Sequence, residues 1–401
     1  MSAASTTHIC HIVSTYTDDV LNRQLLGNLS CSLSKNFEHT LVVLSKPTRE
    51  RLNLPNGVSC IELKNTRPLS WRAFRECGRV LSILKPDVCH TYGNTPLAIQ
   101  WMARRAGVPV KLHQVSPLQA SSHSSWLVKT FLSTLSHSTD VFITASSETK
   151  RWLEQGVRIP PEQCEIIRPA IDAKHFCPTL QEVNPLKTNS FLGQIAIPTN
   201  KFVVGTDISE QCIENLITLI DEFAVASKLS PEFKTNAMLL IAGNARYIPL
   251  LRKEVQARNL DEDNVRILGR ISNMRLFYKT IDALAIPEEI DKNGTQPIEA
   301  MSMAIPIISL RPRALTRRSE HPLKWTNKNG HCRIQHQLLD IFSDMGKRLR
   351  LGREARLYVQ EKHCIKEFES RLLALYLRGN PSANSNSANT LRFASPSSRN
   401  E

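Results

Sequence analysis

The segment from Pro287 to Ser309 holds the residues whose types and spacing could do chemistry. Asp291 falls on a loop after an apolar run, and Gly294 lets backbone approach a ligand. Glu299 lies in the helix that follows Thr295, eight residues after Asp291. The free amides at a helix start favour an anion such as a diphosphate. Two carboxylates beside it suit a hydroxyl-rich ligand, because ionised carboxylates accept hydrogen bonds from hydroxyls. Just beyond, Arg311, Arg313, Arg317 and Arg318 read either as a phosphate-binding group or as a solvated basic loop. His8, Cys10 and His11 are metal-ligand types, but strand alternation puts His8 and Cys10 on one face and His11 on the other. With no paired acids at a suitable strand end in the second half, no metal is expected.

These residues need a scaffold, and the chain supplies strands alternating with helices, the pattern of a parallel sheet covered on both faces. In the first half, apolar runs predict strands at 9–13, 40–44, 57–63, 86–90, 108–112 and 141–144. Helical spacing separates them at 20–33, 72–84, 96–106, 126–135 and 147–155. Between 178 and 200 the periodicity fades into Pro, Asn, Thr and Ser, as in a linker. A second series predicts strands at 202–205, 238–243, 265–269, 283–287 and 305–310, with helices at 213–229, 247–259 and 296–304. Residues 335–377 read as one helical stretch, and 380–401, rich in Ser and Asn, as a disordered tail.

The expected fold is α/β, with two doubly wound Rossmann-like domains, an interdomain cleft and C-terminal helices. The expected boundaries are 1–178 for the first domain, 179–200 for the linker and 201–345 for the second domain. Helices follow at 346–379, then the tail at 380–401. Ligands of open α/β sheets sit beyond the carboxyl ends of the strands, so the cleft is the expected site.

Composition limits the classes. The chain has 401 residues, 41% hydrophobic and 22% charged, which is the balance of a soluble globular protein. It has no apolar run near the ~18 residues needed to span a bilayer, and its start lacks a basic-then-apolar signal. A cytoplasmic location is expected, with the inner membrane face as a peripheral alternative. Lys and Arg exceed Asp and Glu by 14 charges, which would draw nucleic acid, acidic lipid or phosphorylated small molecules, or mark a merely basic surface. Aromatics at 6% and the lack of a recognised nucleic-acid module argue against nucleic acid. The helix from Trp126, near Arg104, Arg105 and Lys111 in sequence, reads either as a contact with anionic membrane or as an ordinary packed helix. Ten cysteines without a CxxC pair read as buried, reduced thiols.

The segment around Asp291 and Glu299 resembles the donor-sugar signature of the group 1 and family 4 retaining glycosyltransferases of the GT-B fold. Their pattern is an acid, seven residues, then Glu-Ala-Met and a Pro-Val-Ile-like strand. Further pieces fall in the same order: Lys85–His90, Ile167–Asp172 with Phe176, Ile241–Gly243, Val265–Gly269 and Tyr278–Asp282. The resemblance implies a nucleotide-diphosphate sugar as donor and no metal or other cofactor. A saccharide, lipid-linked or small-molecule acceptor would bind mainly on the first domain. It implies that Glu299 holds ribose hydroxyls and Asp291 touches the transferred hexose. Gly294 and Thr295 would bring backbone amides to the sugar or diphosphate, and the loop at Gly269 and Arg270 would face the base. The departing diphosphate would take the acceptor's proton, with retention of configuration.

Departures from the family pattern favour a second expectation, a catalytically impaired relative that serves as a binding module. The family's "GRLxxxKG" is here Gly205-Thr206 through Gln211, so Thr206 and Gln211 stand where Arg and Lys would neutralise the leaving diphosphate. Thr17-Asp18-Asp19 replaces a glycine-rich turn, and Ala304 replaces a glycine before the Pro-Val-Ile strand. The family's first-domain histidine would fall at Val115. His113, two residues earlier on the same strand face, either substitutes for it or is an ordinary strand-end histidine. Arg311 and Arg313 are the cations expected to offset the loss.

Overall fold

Thr7–Val13 (β1), Phe37–Ser45 (β2), Val58–Asn65 (β3), Val88–Tyr92 (β4), Val110–Gln114 (β5), Val141–Thr144 (β6) and Cys164–Ile166 (β7) pair in parallel. Their order is β3-β2-β1-β4-β5-β6-β7. β1, β4, β5 and β6 are buried at nearly every position, as strands covered on both faces must be. The computed structural model describes residues 6–14, 37–45, 56–65, 71–93, 98–115, 126–178, 200–208, 213–243, 245–269, 273–286, 295–309 and 333–379, with positions 29, 54 and 271. Within them, one compact unit runs to Pro169 and resumes at Lys366, and the other spans Ala170–Ile365. The expected helix at 20–33 (apart from Leu29), linker at 179–200 (apart from Asn200) and tail at 380–401 lie outside the described residues.

In the first unit, helices Trp71–Leu84 (α1) and Ala98–Arg105 (α2) pack on one sheet face through Cys77, Leu81, Ile99 and Ala103 against Cys10, Ile12, Val42 and Cys89. After α2 the chain turns through Gly107, whose φ of 77° suits a residue without Cβ. Trp126–Ser136 (α3) follows, and then Ser147–Arg151 (α4), capped by Ser146 Oγ accepting from the Thr149 amide and widening into π-type turns over Trp152–Val157. Thiols 10, 77, 89 and 164 are buried as expected, but Cys60 is exposed on β3.

Among its described residues the second unit has five parallel strands: Phe202–Ile208 (β8), Ala237–Gly243 (β9), Val265–Gly269 (β10), Ala283–Ile286 (β11) and Ile307–Ser309 (β12). Their order is β10-β9-β8-β11-β12, so the strand order reverses between β8 and β11. The helices are Ile213–Leu229 (α5), Pro231–Asn236 (α6), Ile248–Ala257 (α7), Met274–Thr280 (α8), Gln296–Ser302 (α9), Ile334–Ser343 (α10) and Met345–Lys362 (α11). Phe202, Phe223, Phe233 and Phe342 make a chain of ring contacts with centroids 5.1 to 6.5 Å apart, tying β8 to α5, α6 and α10. Both sheets follow the Rossmann order from a central first strand.

The stretch expected as one helix from 335 to 377 is three. Asp344 ends α10 and caps α11, its Oδ1 accepting from the Lys347 amide at 2.8 Å. A second break falls at His363 and Cys364, before Ile365–Tyr376 (α12). α12 lies on the other face of the first unit's sheet, where Leu372, Leu375 and Tyr376 cluster with Ile9, Val88, Val110 and Leu112. Beneath it sit three fully buried histidines, His11, His39 and His90, on one sheet face. His11 Nδ1 is 2.9 Å from the Tyr92 hydroxyl and its Nε2 is 3.0 Å from His39 Nδ1. His90 Nδ1 is 3.0 Å from the Tyr376 hydroxyl. Burial pushes His90 down to about 3 and His11 well below the usual histidine range.

Candidate functional site

The reversal between β8 and β11 is where an open α/β sheet leaves room for a ligand beyond its strand ends. α9 follows β11 and carries Glu299 one turn inside its start. The Glu299 side chain is only 8% exposed, yet both its oxygens are engaged. Oε1 accepts from Thr295 Oγ at 2.7 Å and Oε2 from the Tyr278 hydroxyl at 3.0 Å. Thr295 thus spends its hydroxyl on Glu299 one turn ahead and caps no backbone amide with it. Tyr278 comes from α8, which Asn273 starts by accepting from the Leu276 amide at 3.2 Å. An ionised carboxylate fixed by two donors still has lone pairs for a ligand's hydroxyls.

The far end of α9 is anchored as well. Ser302 Oγ donates to the Phe176 carbonyl at 2.8 Å, and Arg356 of α11 donates to the Ser302 carbonyl. α11 crosses so closely that a Cβ on Gly352 would overlap the Ala304 carbonyl. Ala304 itself has φ 59°, the left-handed conformation in which the family pattern has glycine.

At the carboxyl end of β8, Thr206 is fully buried and its hydroxyl has no hydrogen-bond partner among the described residues. The next residue, Asp207, accepts through Oδ2 from Gln296 Nε2, which joins the strand end to the first residue of α9. Gly205 is explained by packing: a Cβ there would lie 2.6 Å from Ile281 Cγ2 and 2.9 Å from Phe277 Cζ. Gly269 ends β10 with φ 74°.

Of the residues predicted from sequence, Thr295 and Glu299 are joined by a hydrogen bond, and Gly205 and Thr206 lie on β8, whose next residue Asp207 contacts Gln296 of the same helix. Gly269 ends β10, the sheet's far edge strand. Asp291, Gly294, Gln211, Arg270, Arg311 and Arg313 lie outside the described residues. His113 belongs to the first unit, fully buried on β5, with Nδ1 2.8 Å from Thr91 Oγ and its ring edge-on to Phe142. Burial holds it down to about 3, so it is neutral, and its Nε2 has no partner among the described residues. Tyr278, Asp207 and Gln296 were not singled out for the site. Gln296 as the first residue of the helix and Asp207 at a strand's carboxyl end were the available signals. Among the described residues no group of three His, Cys, Asp or Glu side chains could hold a metal.

Residues 25–175 match the model of Glycosyltransferase Family 4, and residues 202–324 match that of Glycosyl transferases group 1. No curated protein matches the chain by sequence. The fold is similar to a glycosyltransferase from Rickettsia africae ESF-5, at 13% identity and a TM-score of 0.70, covering 94% of this chain and 100% of that one. It is similar to Anabaena Alr3699/HepE in complex with UDP, at 15% identity and 0.69, covering 92% and 99%. Sucrose-phosphate synthase from Thermosynechococcus elongatus is also similar, at 16% identity and 0.69, covering 92% and 98%. The two-domain architecture is that of the GT-B fold.

Proposed function

We propose that this GT-B protein, built from a family 4 and a group 1 glycosyltransferase domain, transfers a hexose from a nucleotide-diphosphate sugar to an acceptor hydroxyl with retention of configuration. The observation that carries the reading is the buried Glu299 carboxylate, fixed by Thr295 and Tyr278 beside the sheet reversal and inside the group 1 match. Such a carboxylate suits paired ribose hydroxyls, which donate to it. Asp291 would accept from hydroxyls of the transferred sugar, and Gly294 would bring amides to it. Gln211, Gly269 and Arg270 would complete the donor side, with Arg311 and Arg313 supplying positive charge to the diphosphate.

In the reaction the acceptor oxygen bonds to the anomeric carbon on the face from which the diphosphate leaves. The bond from that carbon to the diphosphate oxygen breaks, and the departing phosphate oxygen takes the hydroxyl proton. The chain's own groups position the donor and stabilise the leaving charge. UDP, bound in the Anabaena protein, is the first nucleotide to try.

Calorimetric titration with UDP, GDP and ADP, repeated with Glu299→Ala, tests the donor reading. Micromolar binding of one nucleotide, lost in the variant, is expected. Absence of binding to all three would overturn it.

One observation favours the second reading, a binding module with impaired transfer. Thr206 stands fully buried where the family has arginine, and the adjacent Asp207 adds a carboxylate tied to Gln296. Nucleotide binding without sugar transfer or donor hydrolysis would select it.

A further inference from the structure

α1 and α2 lie side by side, with Met102 against Gly78 where they meet. Ala73, Cys77 and Leu81 of α1 point into the core. At 100° per residue, Trp71, Arg75, Arg79 and Ile83 then share an outward arc of about 120°. Trp71 is 75% exposed and Ile83 79%. On α2, Trp101 is 44% exposed, with the Arg105 guanidinium 4.8 Å over its ring. The single acid on the two helices is Glu76, and Arg72 neutralises it at 2.9 Å. Arg75 and Arg79 have no carboxylate partner among the described residues.

We propose that this face docks on an anionic lipid bilayer, with the two indoles and Ile83 at the headgroup boundary and the arginines on lipid phosphates. Tryptophan partitions to that boundary, and an amphipathic surface rich in arginine is held there by apolar burial and charge together. A nucleic-acid footprint needs the arginines but gives no reason for an exposed isoleucine beside them. The contact differs from the one expected around the helix at 126. Lys111 is buried and paired with Asp140 at 2.9 Å, and Arg104 donates to the His137 carbonyl. The proposal does not rest on the donor reading.

Sedimentation of the full chain with vesicles tests it, comparing phosphatidylcholine alone with phosphatidylcholine mixed with phosphatidylglycerol. Binding only to the mixed vesicles is expected, weakening as salt rises. The paired change Arg75→Glu and Arg79→Glu should lower affinity on the order of tenfold or more, because each basic residue near such a surface counts for roughly fivefold. Trp71→Ser with Trp101→Ser should lower it independently and relieve quenching by brominated lipid. Because all four side chains face solvent, the unfolding midpoint serves as the check that each variant is folded. Equal binding to neutral vesicles, no sedimentation, full binding by both variants, or retention by DNA in place of vesicles would each overturn the proposal.

Discussion

The carbonyl of Ala304 occupies the space that a side chain on Gly352 would need. One of the two residues is in a left-handed conformation and the other is stripped to hydrogen, so α11 can lie against the turn that ends α9. Gly352→Ala should destabilise the second unit by about 3 kcal/mol through overpacking against backbone that cannot yield. Ala304→Gly should stabilise it by about 1 kcal/mol, since the left-handed penalty outweighs the added freedom of the unfolded chain. Urea unfolding of both variants checks the pair, and opposite signs are the expected result.

Tyr278→Phe removes one of the two donors to Glu299. A hydrogen bond to a carboxylate is worth about 1.5–3 kcal/mol, and part of that holds the side chain in one rotamer. Nucleotide affinity should fall about tenfold with little change in the far-ultraviolet spectrum, as read by the same titration used for Glu299→Ala. Unchanged affinity would mean that Thr295 alone positions the carboxylate.

Thr206→Val replaces a buried hydroxyl that has no partner among the described residues with a methyl of the same shape. Stability should rise by about 1 kcal/mol because an unmet polar group leaves the core. If that hydroxyl is kept for the donor, nucleotide affinity falls in the same variant. The two numbers come from one preparation, by thermal unfolding with and without nucleotide.

The first unit should weaken in mild acid. His90 and His113 are held down to about 3 by burial, against about 6.5 when unfolded. Above pH 6.5 both are neutral in either state and their contribution is complete. As pH falls below 6.5 the unfolded chain takes up protons that the folded one refuses, so stability drops by about 1.4 kcal/mol per pH unit for each histidine. The pair therefore costs about 3 kcal/mol by pH 5.5, and His11 adds in the same direction. Calorimetric scans between pH 7.5 and 5.5 measure the slope. His113→Asn, which cannot protonate there, should lower it by about one proton.

The strands were legible because buried parallel strands write themselves as short apolar runs, as Val141–Thr144 and Ala237–Gly243 do. β7 was not, since Cys164-Glu165-Ile166 is three residues long with an acid at its centre. The breaks in the C-terminal helices carry no proline, and the signal at Asp344 was an acid three residues before the amide it caps. The place of Glu299 inside a helix was legible from the spacing, whereas its partner Tyr278 comes from another helix 21 residues away. The histidine layer could not be foreseen from spacing either. It exists because β1 pairs with both β2 and β4, setting His11 opposite His90 and His39 beside Ile9.

α12 closes the first unit's sheet with residues made more than 280 positions after β4, as the His90–Tyr376 contact records. During synthesis, Ile9, Val88 and Leu112 therefore stay uncovered while the whole second unit is translated. At roughly 5–20 residues per second that interval lasts on the order of ten seconds or more. The second unit, continuous in sequence from Ala170 to Ile365, can mature on the ribosome. The first must wait for α12, and in the meantime it is the part of the nascent chain most exposed to chaperones and to aggregation.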